Sequence, residues 1–274
     1  MDVDDTYCWR GDEENERKRH SFLLPSSLRC IITGKSGVGK TSLLLHMLLE
    51  PEILQYDTLT VCGASLHQKE YKVLEHSLAK GLSKSQIKVL FQRQQEVEEE
   101  GGIENVLNSY DGLCRGGITG NFFTDITKIP DPSSYDSTKN NLLVLDDVML
   151  GPQNRAEAMF TRGRHNGLHC IYITQSYFRL PRHSLRENSS LFIFFQQDKK
   201  NLIHIFNDHC ACDDLTFDRF VNFCNTVWRE SKHNFITLDV TRHQNLGKYR
   251  KNLNHYWIPK YDILMEELEE DRTS

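Results

Sequence analysis

Residues 34–41 read GKSGVGKT, directly after the apolar run LRCIIT at residues 28–33 and directly before the stretch SLLLHMLL at residues 42–49. An apolar run that ends in glycines predicts a buried strand, and the leucine-rich stretch, which stops at Pro51, predicts a helix. The pattern G-x-x-x-x-G-K-[ST] between a strand and a helix is that of a P-loop, whose backbone amides bind phosphate at the positive end of the helix. The predicted ATP-binding residues are Gly34, Lys35, Ser36, Gly37, Val38, Gly39, Lys40, Thr41 and Ser42.

The side chains of this loop predict how Mg²⁺ and ATP are held. Lys40 is expected to bridge the β- and γ-phosphates, and the Thr41 hydroxyl to ligate Mg²⁺. A P-loop enzyme also needs an acid at the end of a neighbouring strand, and the buried run NLLVLDD at residues 141–147 ends in two acids. We predict that Asp146 holds the metal and that Asp147 is the general base that activates water. The alternative for Asp147 is that it caps the following turn.

A third candidate follows the next buried run, HCIYITQ at residues 169–175. Gln175 ends this run, and the carboxyl ends of strands in an open α/β sheet are where ligands bind. We therefore predict that Gln175 senses the γ-phosphate or holds the attacking water. The alternative is a strand-end glutamine that only meets solvent.

Strand and helix patterns alternate along the chain, which predicts an α/β fold with a mainly parallel central sheet and helices on both faces. Further strands are expected at residues 58–62, 87–92 and 190–195, and helices at residues 67–80 and 154–162. Residues 93–112 look like a charged helix and a turn, and residues 121–139, with two prolines, look like a surface loop.

Composition predicts the organisation of the 274 residues. We expect a mobile polar arm at residues 1–21, one ATPase domain at residues 22–264, and an acidic tail at residues 265–274. No apolar stretch reaches the roughly 18 residues that a membrane span needs, so an intracellular protein without membrane contact is expected. The eight cysteines are scattered and form no CxxC pair, so neither disulfides nor a zinc site is expected.

The net charge of −5 is unevenly distributed. Residues 1–20 carry seven acids and four bases, and residues 259–274 carry six acids and two bases, so the residues between them carry a net charge of +2. Residues 155–186 contain six arginines and one acid, and residues 226–258 contain six bases and two acids. These two stretches are the candidates to face an anion.

The order of these motifs resembles a known family. GKSGVGKT, then NLLVLDDV, then GRHNGLHCIYITQSYFRLPRHSLRENSSLFIFF is similar to the viral DNA-packaging ATPases of the poxvirus type, within the FtsK/HerA superfamily. Similar ATPases occur in other large DNA viruses and in Maverick/Polinton elements. The resemblance covers residues 28–195, and its distinctive parts are the GRH stretch and the run Q-S-Y-F-x-L-P-x-x-x-R-x-N.

The resemblance implies a RecA-like core, a homo-oligomeric ring, and ATP-driven transport of double-stranded DNA into a capsid. Capsid or portal proteins are the implied partners, and virion assembly sites in the host cytoplasm or nucleus are the implied location. Lys40, Thr41, Asp146, Asp147 and Gln175 match the family's phosphate, metal, catalytic and sensor positions. Many superfamily members have glutamate as the second acid, so the shorter Asp147 is a departure.

An arginine that acts on the nucleotide of a neighbouring subunit is also implied, and three residues are eligible: Arg162, Arg164 and Arg186. Arg186 is our first choice, because it lies between two predicted strands, near the sheet edge where subunits of a ring meet. Two other functions stay open. One is an ATP-dependent switch or scaffold that transports nothing, and the other is a small-molecule kinase with residues 155–186 as its lid.

Overall fold

The computed structural model describes residues 20–93 and 117–266. Its centre is a block of parallel strands in the order β6-β1-β5-β4-β2-β3. The strands are β1 Arg29–Thr33, β2 Thr58–Gly63, β3 Thr119–Phe123, β4 Asn141–Asp146, β5 Leu168–Thr174 and β6 Leu191–Phe194. This arrangement confirms the predicted α/β fold with a mainly parallel sheet. In one respect the expectation differs, because β5 lies between β1 and the strand of Asp146, which are therefore not direct neighbours.

Four antiparallel strands extend the sheet beyond β6 to ten strands. They are β7 Ile236–Asp239, β8 Tyr249–Lys251, β9 His255–Ile258 and β10 Ile263–Glu266. Sequence analysis identified none of these short strands, which are only three or four residues long. Segments of that length carry too few residues to show an alternating pattern.

Helices cover both faces of the sheet, as predicted. They are α1 Lys40–Leu49, α2 Lys69–Ala79, α3 Lys84–Gln92, α4 Asn154–Arg162, α5 Lys199–His209 and α6 Phe217–Glu230. Alternate residues of β1 point to opposite faces: Cys30 and Ile32 pack in one core with α1, α2 and α3, and Ile31 packs in the other with α4, α5 and α6. No helix in the described ranges is long and apolar enough to cross a bilayer.

The predicted strand at residues 87–92 is wrong, because these residues lie in α3. Ser83 and Gln86 form a capping box at the start of this helix, which fixes its first turn. Ile87 and Leu90 are then its buried residues, three positions apart as a helix face requires.

The predicted loop at residues 121–139 is partly wrong, because its first three residues belong to β3 at the sheet edge. The predicted charged helix at residues 93–112 lies, beyond Arg93, outside the described residues.

The described residues include short segments beyond both predicted domain limits. His20 was assigned to the arm, yet its imidazole is buried and its Nδ1 accepts a hydrogen bond from the Gln55 amide. Ser21 donates its amide to the Ile53 carbonyl. At the other end, β10 continues to Glu266, two residues into the predicted tail. These contacts place both segments within the packed domain.

Two histidines, His20 and His169, are buried and a third, His209, is half-buried, and all three are held in the uncharged form. Burial, followed by the repulsion of His169 and Lys84, lowers the pKa of His20 to about 3. Burial also lowers the pKa of His169 to about 4, and that of His209 to about 4. The rings of His20 and His169 are in edge contact, 4.3 Å between centroids, and the Tyr177 hydroxyl lies 2.7 Å from His209 Nε2. Protonation of any of these rings therefore opposes folding.

We expect the free energy of unfolding to fall steeply as the pH drops below about 6.5. In that range the unfolded chain binds protons at these three histidines and the folded chain does not, so each contributes a slope of about 1.4 kcal/mol per pH unit. The stability contributed by these neutral histidines is fully present above their pKa in the unfolded chain. It is lost as the pH falls toward their lower pKa values in the folded chain. Urea denaturation at pH 7.5, 6.5 and 5.5 measures this slope.

The matched variants are His169→Asn, which removes one buried imidazole, and His67→Asn, which removes an exposed one. His169→Asn should reduce the slope by about one third of its value, since it removes one of the three protonation sites. His67→Asn should leave the slope unchanged. A stability that is flat between pH 7.5 and 5.5 would contradict the prediction.

Candidate nucleotide-binding site

The predicted phosphate loop joins β1 to α1, at the carboxyl edge of the parallel strands. Gly37 and Gly39 have φ of 75° and 108°, in the left-handed region that favours glycine. Gly34 has no space for a side chain, because an added Cβ would lie 2.9 Å from Cβ of Phe195. Gly39 precedes the first turn of α1 and no side chain in the described residues caps that turn. The first amides of α1 are thus available to an anion.

Lys40 extends across its own loop. Its Nζ donates to the carbonyl oxygen of Gly34 at 2.7 Å and to that of Lys35 at 2.8 Å. Burial lowers the pKa of Lys40, while the carboxylates of Asp146 and Asp147 act in the opposite direction. The ammonium is therefore held by the loop and is close enough to the two acids for their charge to act on it.

Asp146 is the last residue of β4, and its carboxylate is buried. The Tyr71 hydroxyl of α2 donates to Oδ2 of Asp146 at 2.5 Å. Burial raises the pKa of Asp146, and the hydrogen bond from Tyr71 opposes this effect. Asp146 and Thr41 line the same cleft, so a carboxylate and a hydroxyl face one space. These hard oxygen donors, one already oriented by Tyr71, fit Mg²⁺ bound through one carboxylate and phosphate oxygens.

Asp147 follows β4 with a φ of 54°, a left-handed conformation that costs a residue with a Cβ of the order of 1 kcal/mol. Its amide donates to the Ile173 carbonyl of β5 at 3.2 Å, which fixes this turn to the adjacent strand. The residue is exposed and lines the cleft. Such strained conformations occur preferentially at functional sites, and this one turns Asp147 out of the strand that buries Asp146.

Gln175 directly follows β5 and is exposed in the same cleft. Because β5 lies between β1 and β4, Gln175 stands between the phosphate loop on one side and the two acids on the other. The cleft has a volume of about 680 Å³, within the usual range for small-ligand sites. The sheet order thus brings the loop, Asp146, Asp147 and Gln175 to one place.

Two residues of the site were not found by sequence analysis. Tyr71 holds Asp146, and His233, between α6 and β7, lies against the phosphate loop with Nδ1 3.1 Å from the Val38 carbonyl oxygen. Tyr71 lies on the buried face of an amphipathic helix, where its pattern indicates only core packing. His233 is 195 positions from Val38, and no sequence signal indicates that contact.

Arg186, our first choice for the intersubunit arginine, is held by contacts within its own subunit. Arg186 is buried, and its Nη1 donates to Oδ2 of Asp208 at 2.6 Å, which also accepts from the Tyr177 hydroxyl at 2.9 Å. The Arg186 guanidinium also lies over the Tyr177 ring, 5.1 Å from its centroid. To act on a neighbouring subunit, Arg186 would have to break this buried ion pair with Asp208. Arg186 instead anchors the segment that follows β5 to α5.

The other two arginines are exposed at the opposite end of the sheet. Arg162 ends α4, and Arg164 lies two residues later, before the first residue of β5. The nucleotide cleft lies at the last residue of that strand, so neither arginine is near the site of its own subunit. Among the described residues, neither side chain forms a hydrogen bond or an ion pair.

The basic stretch at residues 226–258 is not an anion-facing surface, contrary to expectation. Arg250 and Asp239 form a fully buried ion pair at 3.2 Å, and Arg242 also pairs with Asp239. Lys248 pairs with Asp213 at 2.7 Å, and Lys251 with Glu230. Four of the six bases of this stretch therefore serve the internal structure. Counting charge along the sequence missed this result for two reasons. Asp213, the partner of Lys248, lies outside the stretch, and Asp239 pairs with two arginines at once.

The fold and the site define the class: this is a P-loop NTPase fold, with the phosphate loop after β1 and the paired acids after β4. The chain matches no protein-family model and no curated protein. Among solved structures it is similar to the genome packaging NTPase B204 from Sulfolobus turreted icosahedral virus 2. The complex of that protein with sulfate has 12% sequence identity and a TM-score of 0.48, over 84% of this chain and 97% of that chain.

The same NTPase in complex with ATP-gammaS has 12% identity and a TM-score of 0.45, over 81% of this chain and 95% of that chain. VirB4 of Thermoanaerobacter pseudethanolicus has 12% identity and a TM-score of 0.42, over 78% and 87%. These values are those of distant structural similarity.

Proposed function

We propose that this chain hydrolyses ATP with Mg²⁺ and uses the energy to move double-stranded DNA into the capsid of a virus or virus-like element. The observation that carries the ATPase proposal is the convergence of Lys40, Asp146, Asp147 and Gln175 in one cleft at the carboxyl edge of the sheet. Lys40 follows β1, the two acids lie at the end of β4, and Gln175 follows β5. The four residues are therefore up to 135 positions apart in sequence. Each is of the type that phosphoryl transfer requires at its position.

The proposed chemistry assigns one task to each group. Lys40 and the first amides of α1 bind the β- and γ-phosphates. Thr41 and Asp146 would hold Mg²⁺, which neutralises charge on the phosphates when bound. Asp147 accepts a proton from the attacking water, and Gln175 orients that water from the adjacent strand. The strained backbone of Asp147 compensates for its short side chain by directing it out of the strand.

A ring of identical subunits supplies the remaining charge in this proposal. Phosphoryl transfer needs a cation that stabilises the charge developing on the transferred group. Arg162 and Arg164 are exposed, without described partners, and remote from their own cleft. A neighbouring subunit that presents this end of its sheet to the cleft would complete the site. We assign the intersubunit role to these two arginines.

The DNA substrate is proposed from the GRH stretch and the QSYF run, which resemble packaging ATPases. Duplex DNA, a ring of copies of this chain, and capsid or portal proteins are then the partners, with no membrane involved. The site of action is an assembly site in the host cytoplasm or nucleus.

A kinase with residues 155–186 as a mobile lid is disfavoured, because Met159, Phe160 and Leu185 of that segment are buried in the core.

The test of the function is whether duplex DNA stimulates ATP hydrolysis by the purified chain. We expect a severalfold higher rate with duplex DNA, since a translocase couples turnover to its track, and little effect of heparin, a polyanion without a duplex. The rate is measured by phosphate release across DNA concentrations. A rate that stays constant while ATP is still hydrolysed would remove the translocase and favour the switch.

A further inference from the structure

The loop after Gln175 and the start of α5 form an exposed basic surface around an aromatic ring. Phe178 is 42% exposed, and its ring stacks on the His204 imidazole with 4.5 Å between centroids. The Lys200 ammonium lies 4.0 Å from the centroid of the same ring. Arg179 and Lys199 are exposed next to Phe178 and Lys200. We call these five residues, Phe178, Arg179, Lys199, Lys200 and His204, the Phe178 surface.

The cations of this surface are not neutralised within the chain. Arg179, Lys199 and Lys200 form no ion pair with any carboxylate in the described part of the chain. The acids nearby have other partners: Glu187 pairs with Arg182 and His183, and Asp208 pairs with Arg186. Asp198 accepts the Asn201 amide at the start of α5. On a chain with a net charge of −5, these three exposed cations without ion-pair partners form a local positive patch.

The surface is held in place and connects directly to the nucleotide cleft. The Phe178 amide donates to Oδ1 of buried Asn201 at 3.0 Å, which fixes the loop on α5. Tyr177, between Gln175 and Phe178, is fully buried, and its hydroxyl bonds to Asp208. Only three positions separate the glutamine of the cleft from Phe178. The Phe178 surface therefore lies close to the cleft along the chain and is anchored to α5.

We propose that the Phe178 surface binds the phosphate backbone of duplex DNA, and this inference rests on the proposed function. Three exposed cations, two of them on adjacent residues of one helix, match the closely spaced phosphates of a duplex. The Phe178 ring is already in contact with a cation and an imidazole of its own subunit. It organises these cations and does not present a bare ring on which an unpaired base would stack.

The experiment measures binding of a fluorescent duplex to the full chain across salt concentrations, without ATP. Each phosphate contact contributes about 0.9 to the slope of log K against log salt. Lys199→Gln/Lys200→Gln is therefore expected to reduce the slope by about 1.8 per contacting subunit, and the affinity at 0.1 M salt by roughly sixtyfold. Arg179→Gln, in the loop and not on the helix, should reduce the slope by about 0.9 and the affinity by roughly eightfold.

Lys72→Gln is the matched control, since Lys72 is exposed on α2 at the opposite face of the sheet. It should bind duplex DNA with the slope of the unmodified chain, and melting temperatures verify the folding of every variant. If the unmodified chain binds DNA and both the Lys199→Gln/Lys200→Gln and the Arg179→Gln variants share its slope, the Phe178 surface is overturned while the proposed function stands. If the unmodified chain hydrolyses ATP but binds no duplex DNA, the translocase proposal fails and this inference fails with it.

Discussion

A Lys40→Ala variant is expected to lose ATP hydrolysis almost completely, by about 10³-fold or more. Lys40 is the cation that the structure places between the phosphate loop and the two acids, and its pKa responds to both carboxylates. Removing it leaves the charge on the β- and γ-phosphates without its principal compensation. Phosphate release at saturating ATP and binding of a fluorescent ATP analogue measure the two parts of this loss.

Asp147→Asn provides the comparison for Lys40→Ala. It keeps the shape of the side chain and removes its basicity, so nucleotide binding should persist while hydrolysis slows by about 10²–10⁴-fold. Normal hydrolysis by Lys40→Ala would remove the central claim about the cleft. Normal hydrolysis by Asp147→Asn would restrict Asp147 to a structural role in its turn.

The second large effect is expected from the exposed arginines. The double variant Arg162→Ala/Arg164→Ala should hydrolyse ATP about 10³–10⁵-fold more slowly than the unmodified chain, as loss of an arginine supplied by a neighbour does. Both side chains lie at the far end of β5 from their own cleft, so the loss has to act across a subunit boundary. Each single variant then shows which arginine is responsible.

Mixing of inactive variants tests the intersubunit role directly. Arg162→Ala/Arg164→Ala subunits retain Lys40, and Lys40→Ala subunits retain both arginines, so mixed rings contain complete sites and should regain activity. Arg186→Ala is the contrasting variant. It removes one partner of a buried ion pair with Asp208, so we expect lower stability, by about 3–5 kcal/mol, and no rescue by mixing. Rescue of Arg186→Ala by mixing would instead assign the intersubunit role to Arg186.

The sequence carried the parts of the site that depend on local order. The phosphate loop, the two acids and Gln175 each follow an apolar run, so strand prediction alone places them at strand ends, and a parallel sheet gathers strand ends at one edge. The order of the strands in the sheet could not be predicted from the sequence. That β5 separates β1 from β4, and so sets Gln175 between the loop and the acids, is decided by packing across the sheet.

The residues that prediction missed or misassigned depend on contacts distant in sequence. Tyr71 is 75 positions from Asp146, and His233 is 195 positions from Val38. Arg186 looked like an available loop arginine until Asp208, on α5, was found to bind it. The fate of each charged side chain depends on which carboxylate the fold brings near, and a single sequence does not contain that information.

In the proposed ATPase, the contact of Lys40 with its own loop affects how tightly ATP and the products are bound. The carbonyl oxygens of Gly34 and Lys35 hold the ammonium through two charge-assisted hydrogen bonds, so incoming phosphate oxygens compete with an internal acceptor. This competition lowers the apparent affinity for ATP below the intrinsic one, by the fraction of time in which the lysine is released. The same carbonyls recapture the ammonium once the γ-phosphate has been cleaved. The phosphate loop of the proposed ATPase thereby binds the products more weakly and favours their release.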